Sequence, residues 1–124
     1  MKIDFNLIKD ILEFIHNSSS YQIIGSHISQ QFGVYFDSFY YNEDFRDRRA
    51  NFINHIQLLY DNKCLGITCY PIIIEDLYDN YIRIMPNGYE LLYILNNYNI
   101  EEEINKNIPI SIIIKKYQNE ILKK

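Results

Sequence analysis

Cysteine is scarce in this chain, and Cys64 and Cys69 are too few to staple a small fold and not spaced as a CxxC redox or zinc pair. His16, His27 and His55 are scattered, so nothing local points to a metal site, and no cofactor is expected. Long apolar runs are missing as well. Ile72–Ile74 and Ile112–Ile114 are among the longest, far short of the ~20 residues a membrane helix needs. The opening MKIDFNLIKDILEFI is interrupted by Asp10 and Glu13, unlike the apolar centre of a signal peptide. A soluble, cytoplasmic protein with no membrane partner is the expectation. There is no phosphate-binding glycine loop and no triad pattern, and Ser18–Ser20 has no paired base, so no catalytic residue is assigned and an enzyme is not expected. A basic excess is lacking too: 16 Asp and Glu outnumber 12 Lys and Arg, for a net charge of -4. Phosphate neutralisation supplies most non-specific affinity for nucleic acid, so only a local basic patch would favour such a partner.

What remains describes one globular domain. The 124 residues include 48% apolar and 23% charged side chains, no linker rich in Gly, Pro or Ser divides them, and no repeat appears. Tyrosine occurs 12 times, and a ring with a hydroxyl suits half-buried positions and binding surfaces.

Asp4 is a good N-cap, and Phe5, Ile8, Ile11, Leu12 and Ile15 recur at helical spacing until Asn17 and the serine run. The segment YQIIGSHISQQFGVYF reads two ways. Ser26 caps a short helix over 26–32, the favoured reading, or Tyr21–Ile24 and Val34–Phe39 are strands. Asn42, Glu43 and Asp44 start a long helix to Asn62, in which Phe45, Arg49, Phe52, Ile56, Leu59 and Tyr60 trace one face. CLGITCYPIII and YIRIM then form a hairpin around the acidic turn EDLYDN, with Pro71 at an irregular or edge position. Pro86 opens another helix at its first position, with Tyr89, Leu92, Tyr93 and Leu95 inward and Gly88 where backbone must approach a neighbour. The polar NNYNIEEEINKN carries a short helical piece, and a final helix over about 109–122 has Ile110, Ile113, Ile114, Tyr117 and Ile121 on one face. The fold class is α+β and mostly helical: a winged helix-turn-helix core over about 1–97, with a C-terminal helical extension over about 98–124.

The stretches MKIDFNLIKDIL, FINHIQLLYDNKCLGI and IRIMPNGYELLYIL together resemble an uncharacterised bacterial and phage winged-helix family, a domain of unknown function. His55, Leu58 and Leu59 match its His-x-x-Leu-Leu element, and Gly88 matches the glycine that ends its strand-to-helix motif. Met85–Pro86 stands where a Thr-Trp pair is common, and DNKCLGI permutes the usual Ala-Gly-Leu-Ile. The resemblance implies a fold and a phage or mobile-element context, and it carries no activity.

Two functional expectations follow. In the first, the protein is a DNA-binding transcriptional regulator. The long helix presents Arg46, Ala50, Asn54, Gln57 and Asp61 outward; Arg46, Arg48, Arg49 and Arg83 meet phosphate or guanine, and Asn54 and Gln57 pair with adenine. In the second, the acidic wing formed by Glu75, Asp76, Tyr78 and Asp79 binds and inhibits a host nucleic-acid-binding protein, an anti-defence role in which acidic surface competes with nucleic acid. Glu101–Glu103 reads as a solvated acidic turn and His55 as a residue at the core margin. Ile112, nearly opposite the apolar face of the last helix, and Tyr117 are assigned to a homodimer interface.

Overall fold

The computed structural model describes residues 2–18, 20, 22–34, 43–67, 77 and 79–122, with backbone alone at 43–45. Helix α1 (Phe5–His16) begins where Asp4 Oδ1 accepts the N–H groups of Asn6 and Leu7, at 3.0 and 3.1 Å. These are donors of the first turn that the helix itself leaves unpaired. The expected stripe of Phe5, Ile8, Ile11, Leu12 and Ile15 is buried throughout, and Asn17 closes the helix.

Both readings of the next segment hold in part. Ile23–Ile24 is a strand, β1, and it runs without a loop into α2 (Gly25–Gln31). Ser26 is therefore not the cap: it already lies inside the first turn, and the N-cap, Ile24, has no side chain that can accept a bond. Val34 is buried outside any strand, and the rest of the expected strand, 35–39, lies outside the described residues.

Helix α3 (Glu43–Asp61) buries Phe52, Ile56 and Leu59 as expected, while the Asn42 cap and the Phe45 side chain lie outside the described residues. His55 is not marginal but fully buried. Its Nε2 accepts the Asp4 N–H at 2.9 Å, which leaves Nδ1 to donate to the Asn51 carbonyl at 2.7 Å. Both ring nitrogens are satisfied only in the neutral Nδ1–H tautomer. This one side chain joins the start of α1 to the middle of α3.

Three helices end in the same way. At the ends of α2, α3 and α5 (Glu101–Asn105), Gly33, Lys63 and Asn107 adopt positive φ of 73°, 60° and 55°. In each, the following N–H reaches back to a carbonyl of the last turn: Val34 to Ser29, Cys64 to Leu59 and Ile108 to Glu103. This is the Schellman termination, in which a left-handed residue satisfies carbonyls that the helix leaves open. Glycine adopts that conformation freely, whereas the lysine costs about 1 kcal/mol.

The reversal after α3 delivers the chain into β2 (Leu65–Gly66), which pairs antiparallel with β3 (Tyr81–Ile84) in the register Leu65↔Ile84 and Gly66↔Arg83. On its other side β3 pairs with β1, so the sheet order is β1-β3-β2. Ile82 and Ile84 face the core, while Tyr81 and Arg83 alternate onto the other face. The first apolar run of the expected hairpin lies mostly outside the described residues, including Pro71.

After Met85, Pro86 opens α4 (Pro86–Asn97) at its first position. Leu91, Leu92 and Ile94 fill the core, but Tyr89 and Tyr93 do not turn inward: they are 50% and 49% exposed. The inward stripe is set one residue away, because Gly88 is the residue pressed against the α3–β2 turn. A Cβ on Gly88 would stand 2.3 Å from the Cys64 carbonyl oxygen, so the close approach expected of this glycine is present. Helix α6 (Ile110–Leu122) packs on α4 and buries Ile110, Ile113, Ile114 and Tyr117, and α1 packs against α4, α3 and β3. Among the described residues, six helices and a small three-stranded antiparallel sheet make an α+β, mostly helical fold.

Gly88→Ala must drive a methyl into backbone, and overpacking of this kind costs about 3 kcal/mol. Urea denaturation should show a midpoint lowered to match with an unchanged slope, and an unaltered midpoint would refute the close approach.

Candidate functional site

The α3 surface carries most of the residues singled out for nucleic acid. Arg46, Arg48, Ala50 and Asn54 are exposed, so the expected outward face exists. Arg48 also braces the preceding turn, its Nη1 donating to the Gly33 carbonyl at 3.5 Å. Arg49 is half-buried and held by a contact within the chain, as an aliphatic stem lying on core requires. Gln57, expected to read adenine, is half-buried and donates through Nε2 to Asp61 Oδ1 at 2.8 Å. This exposed bond runs along the helix, a consequence of the i,i+4 spacing. Asp47 and Asp61 are exposed on the same helix and offset part of its positive charge.

Arg83 lies apart from this group, on the outward face of the sheet. It lines a cavity of about 460 Å³ with Gln22, Gly66, Asp79, Asn80 and Tyr81. Of the acidic hairpin tip, Asp79 is exposed, and Glu75, Asp76 and Tyr78 lie outside the described residues.

The C-terminal extension departs most from expectation. Glu103 is not solvated but 6% exposed, and its Oε1 accepts from Lys116 Nζ at 2.5 Å and from the Tyr117 hydroxyl at 2.9 Å. Tyr117, assigned to a dimer interface, is itself 6% exposed and packs its ring at a tilt against Tyr98, 4.7 Å between centroids. It is spent inside the chain and offers no dimer surface. Ile112 is 51% exposed, as its position opposite the buried face requires. The hydrogen bond from Lys116 holds the Glu103 carboxyl below its ordinary pKa, while burial and then the bond to Glu103 hold the Tyr117 hydroxyl above its own. The signal for this cluster was present as Ile100, Glu103 and Ile104 at helical spacing, which sets Glu103 on the apolar side of the turn.

A second surface escaped the sequence reading. Tyr89, Tyr93, Ile121 and Leu122 line a mainly apolar groove of about 430 Å³ between α4 and α6, where Gln118 donates to Glu90. It exists because the two tyrosines lie on the solvent side of α4.

Burial pushes the Cys64 thiol up to about 12, so it stays protonated and unreactive at neutral pH. Among the described residues no cluster of His, Cys, Asp and Glu could hold a metal ion, and no helix is long and apolar enough to cross a membrane. Compared with family models, with curated proteins and with solved structures, the chain matches none.

The Glu103 cluster fixes a pH dependence. A carboxyl held below its unfolded pKa contributes stability above that value and loses it as pH falls through the folded one. Glu103→Gln should therefore denature at lower urea than the parent at pH 7, with the gap closing below about pH 4. A gap that persists in acid would show that the carboxylate charge is not what stabilises the extension.

Proposed function

We propose that the chain is a winged helix-turn-helix protein that sets α3 against duplex DNA and acts as a transcriptional regulator. The observation that carries this reading is the order α1-β1-α2-α3-β2-β3 with β3 between its two partners in the sheet. In that architecture a helix pair precedes a hairpin, and the second helix of the pair is the one that meets the major groove. The step from architecture to DNA is an analogy at the level of fold. Local support comes from Arg46 and Arg48, exposed in the first half of α3, and from Asn54 two turns further on the outward face. Arginine positions the helix on phosphate, and asparagine pairs with adenine N6 and N7. Ile112 marks the face through which two copies associate, a pairing that would set the spacing of DNA half-sites. The motifs quoted above tie the same reading to the uncharacterised phage and bacterial winged-helix family.

One observation favours a second reading. The groove of Tyr89, Tyr93 and Leu122 is an exposed aromatic surface of the kind enriched at protein interfaces, and the net charge of -4 suits a protein that competes with nucleic acid for the basic cleft of a host enzyme.

Fluorescence anisotropy with mixed-sequence duplex DNA at low salt separates the two. Binding should weaken as salt rises, and Arg46→Ala and Arg48→Ala, with unchanged circular dichroism, should each lower the slope of log affinity against log salt by about 1. No binding at low salt removes DNA as the partner and leaves the protein-binding reading. For the dimer, Ile112→Asp should halve the mass measured by sedimentation at micromolar concentration, and a parent protein already monomeric there would contradict the pairing.

A further inference from the structure

We propose that the outward face of the sheet is a binding site for a nucleoside monophosphate, independent of what α3 contacts. The cavity of about 460 Å³ falls in the range of small-molecule sites, and its walls, Ile67 among them, are about as apolar as polar. Three features of the wall determine the ligand class.

The first is the guanidinium. Gly66 pairs with Arg83 across the sheet, and the Arg83 side chain lies over it, with Nε 3.0 Å and Cγ 3.2 Å from where a Gly66 Cβ would stand. The absence of a side chain at 66 thus leaves room for the arginine and for Met85, whose Sδ is 3.0 Å from the same point, to lie over the strand. Arg83 and Asn80 each also make a contact within the chain, so a ligand would share them with it. A guanidinium carries five N–H donors, so one at a pocket wall is suited to a phosphate.

The second feature is Tyr81, two residues before Arg83 and on the same face, with its side chain 52% exposed. An exposed ring beside a cation is a stacking platform for a base, and the amides of Gln22 and Asn80 carry both donors and acceptors for a base edge.

Asp79 is the third. Its carboxylate opposes a ligand that is anionic along its whole length, such as a polyphosphate or a DNA backbone, and accepts bonds from the hydroxyls of a ribose. One phosphate, one sugar and one base together satisfy all three features.

The test is a titration of the full chain followed by backbone-amide NMR, with adenosine 5′-monophosphate and, separately, inorganic phosphate. The nucleotide should shift the amides of Gln22, Gly66, Tyr81 and Arg83. Tyr81→Ala, at an exposed position, should weaken binding by roughly 5- to 100-fold, the range that base stacking on an aromatic ring supplies. Gly66→Val, whose Cβ would stand 3.0 Å from Arg83 Nε and Met85 Sδ, must displace the guanidinium and should abolish the shifts. The assignment is overturned if the nucleotide moves none of these amides, if phosphate alone reproduces the shifts at equal affinity, or if a folded Tyr81→Ala protein binds as tightly as the parent.

Discussion

The Cys64 carbonyl is where the two halves of the fold are joined. It accepts the Met85 N–H at 2.9 Å, and the Gly88 backbone presses on the same group too closely for any side chain to fit between. Beside it, Asn87 Nδ2 donates to the Asn62 carbonyl at 3.1 Å. These contacts fasten the end of α3 to the start of α4, and they lie next to the Leu65↔Ile84 pair that sets the β2–β3 register. Register matters because a slip of one residue would turn Ile82 and Ile84 outward and bury Tyr81 and Arg83. The left-handed turn at Lys63 brings Cys64 to that place, so a local cost in backbone conformation serves a long-range contact.

His55 provides the second joint. By taking the Asp4 N–H it ties the cap of α1 to α3 in the interior, where an unpaired donor is costly. With Phe52, Ile56 and Leu59 buried on the same helix, α3 is held along its inner side from its middle to its end. Asn54 lies within that held stretch, with Arg46 and Ala50 on the turns before it.

Much of this was legible in the sequence because it rests on local rules. The Asp4 cap, the stripe of α1, the start at Pro86, the special position of Gly88 and the inner face of α6 all follow from periodicity and cap chemistry. Long-range contacts decided what was not legible. Tyr89 and Tyr93 satisfy a helical apolar pattern as well as Leu91 and Ile94 do, and only the docking of Gly88 rotates them outward. Helical spacing sets Glu103 on the apolar side of its turn, but the bonds that hold it there come from Lys116 and Tyr117, 13 and 14 residues later. Tyr117 lies on the apolar face that the spacing of α6 already showed, and its bond to Glu103 is the part that spacing did not reveal. For the site, the outward face of α3 was readable from helical spacing, whereas the pocket around Arg83 needed the pairing of strands far apart in the chain.

The outward face of α3 is the surface proposed to meet DNA. A backbone-amide NMR map of the chain titrated with duplex DNA at low salt tests it most directly. The largest changes should run through Arg46, Ala50 and Asn54, with little response at Tyr89, Tyr93 and Leu122. Changes centred on the α4–α6 groove, with α3 unmoved, would contradict it.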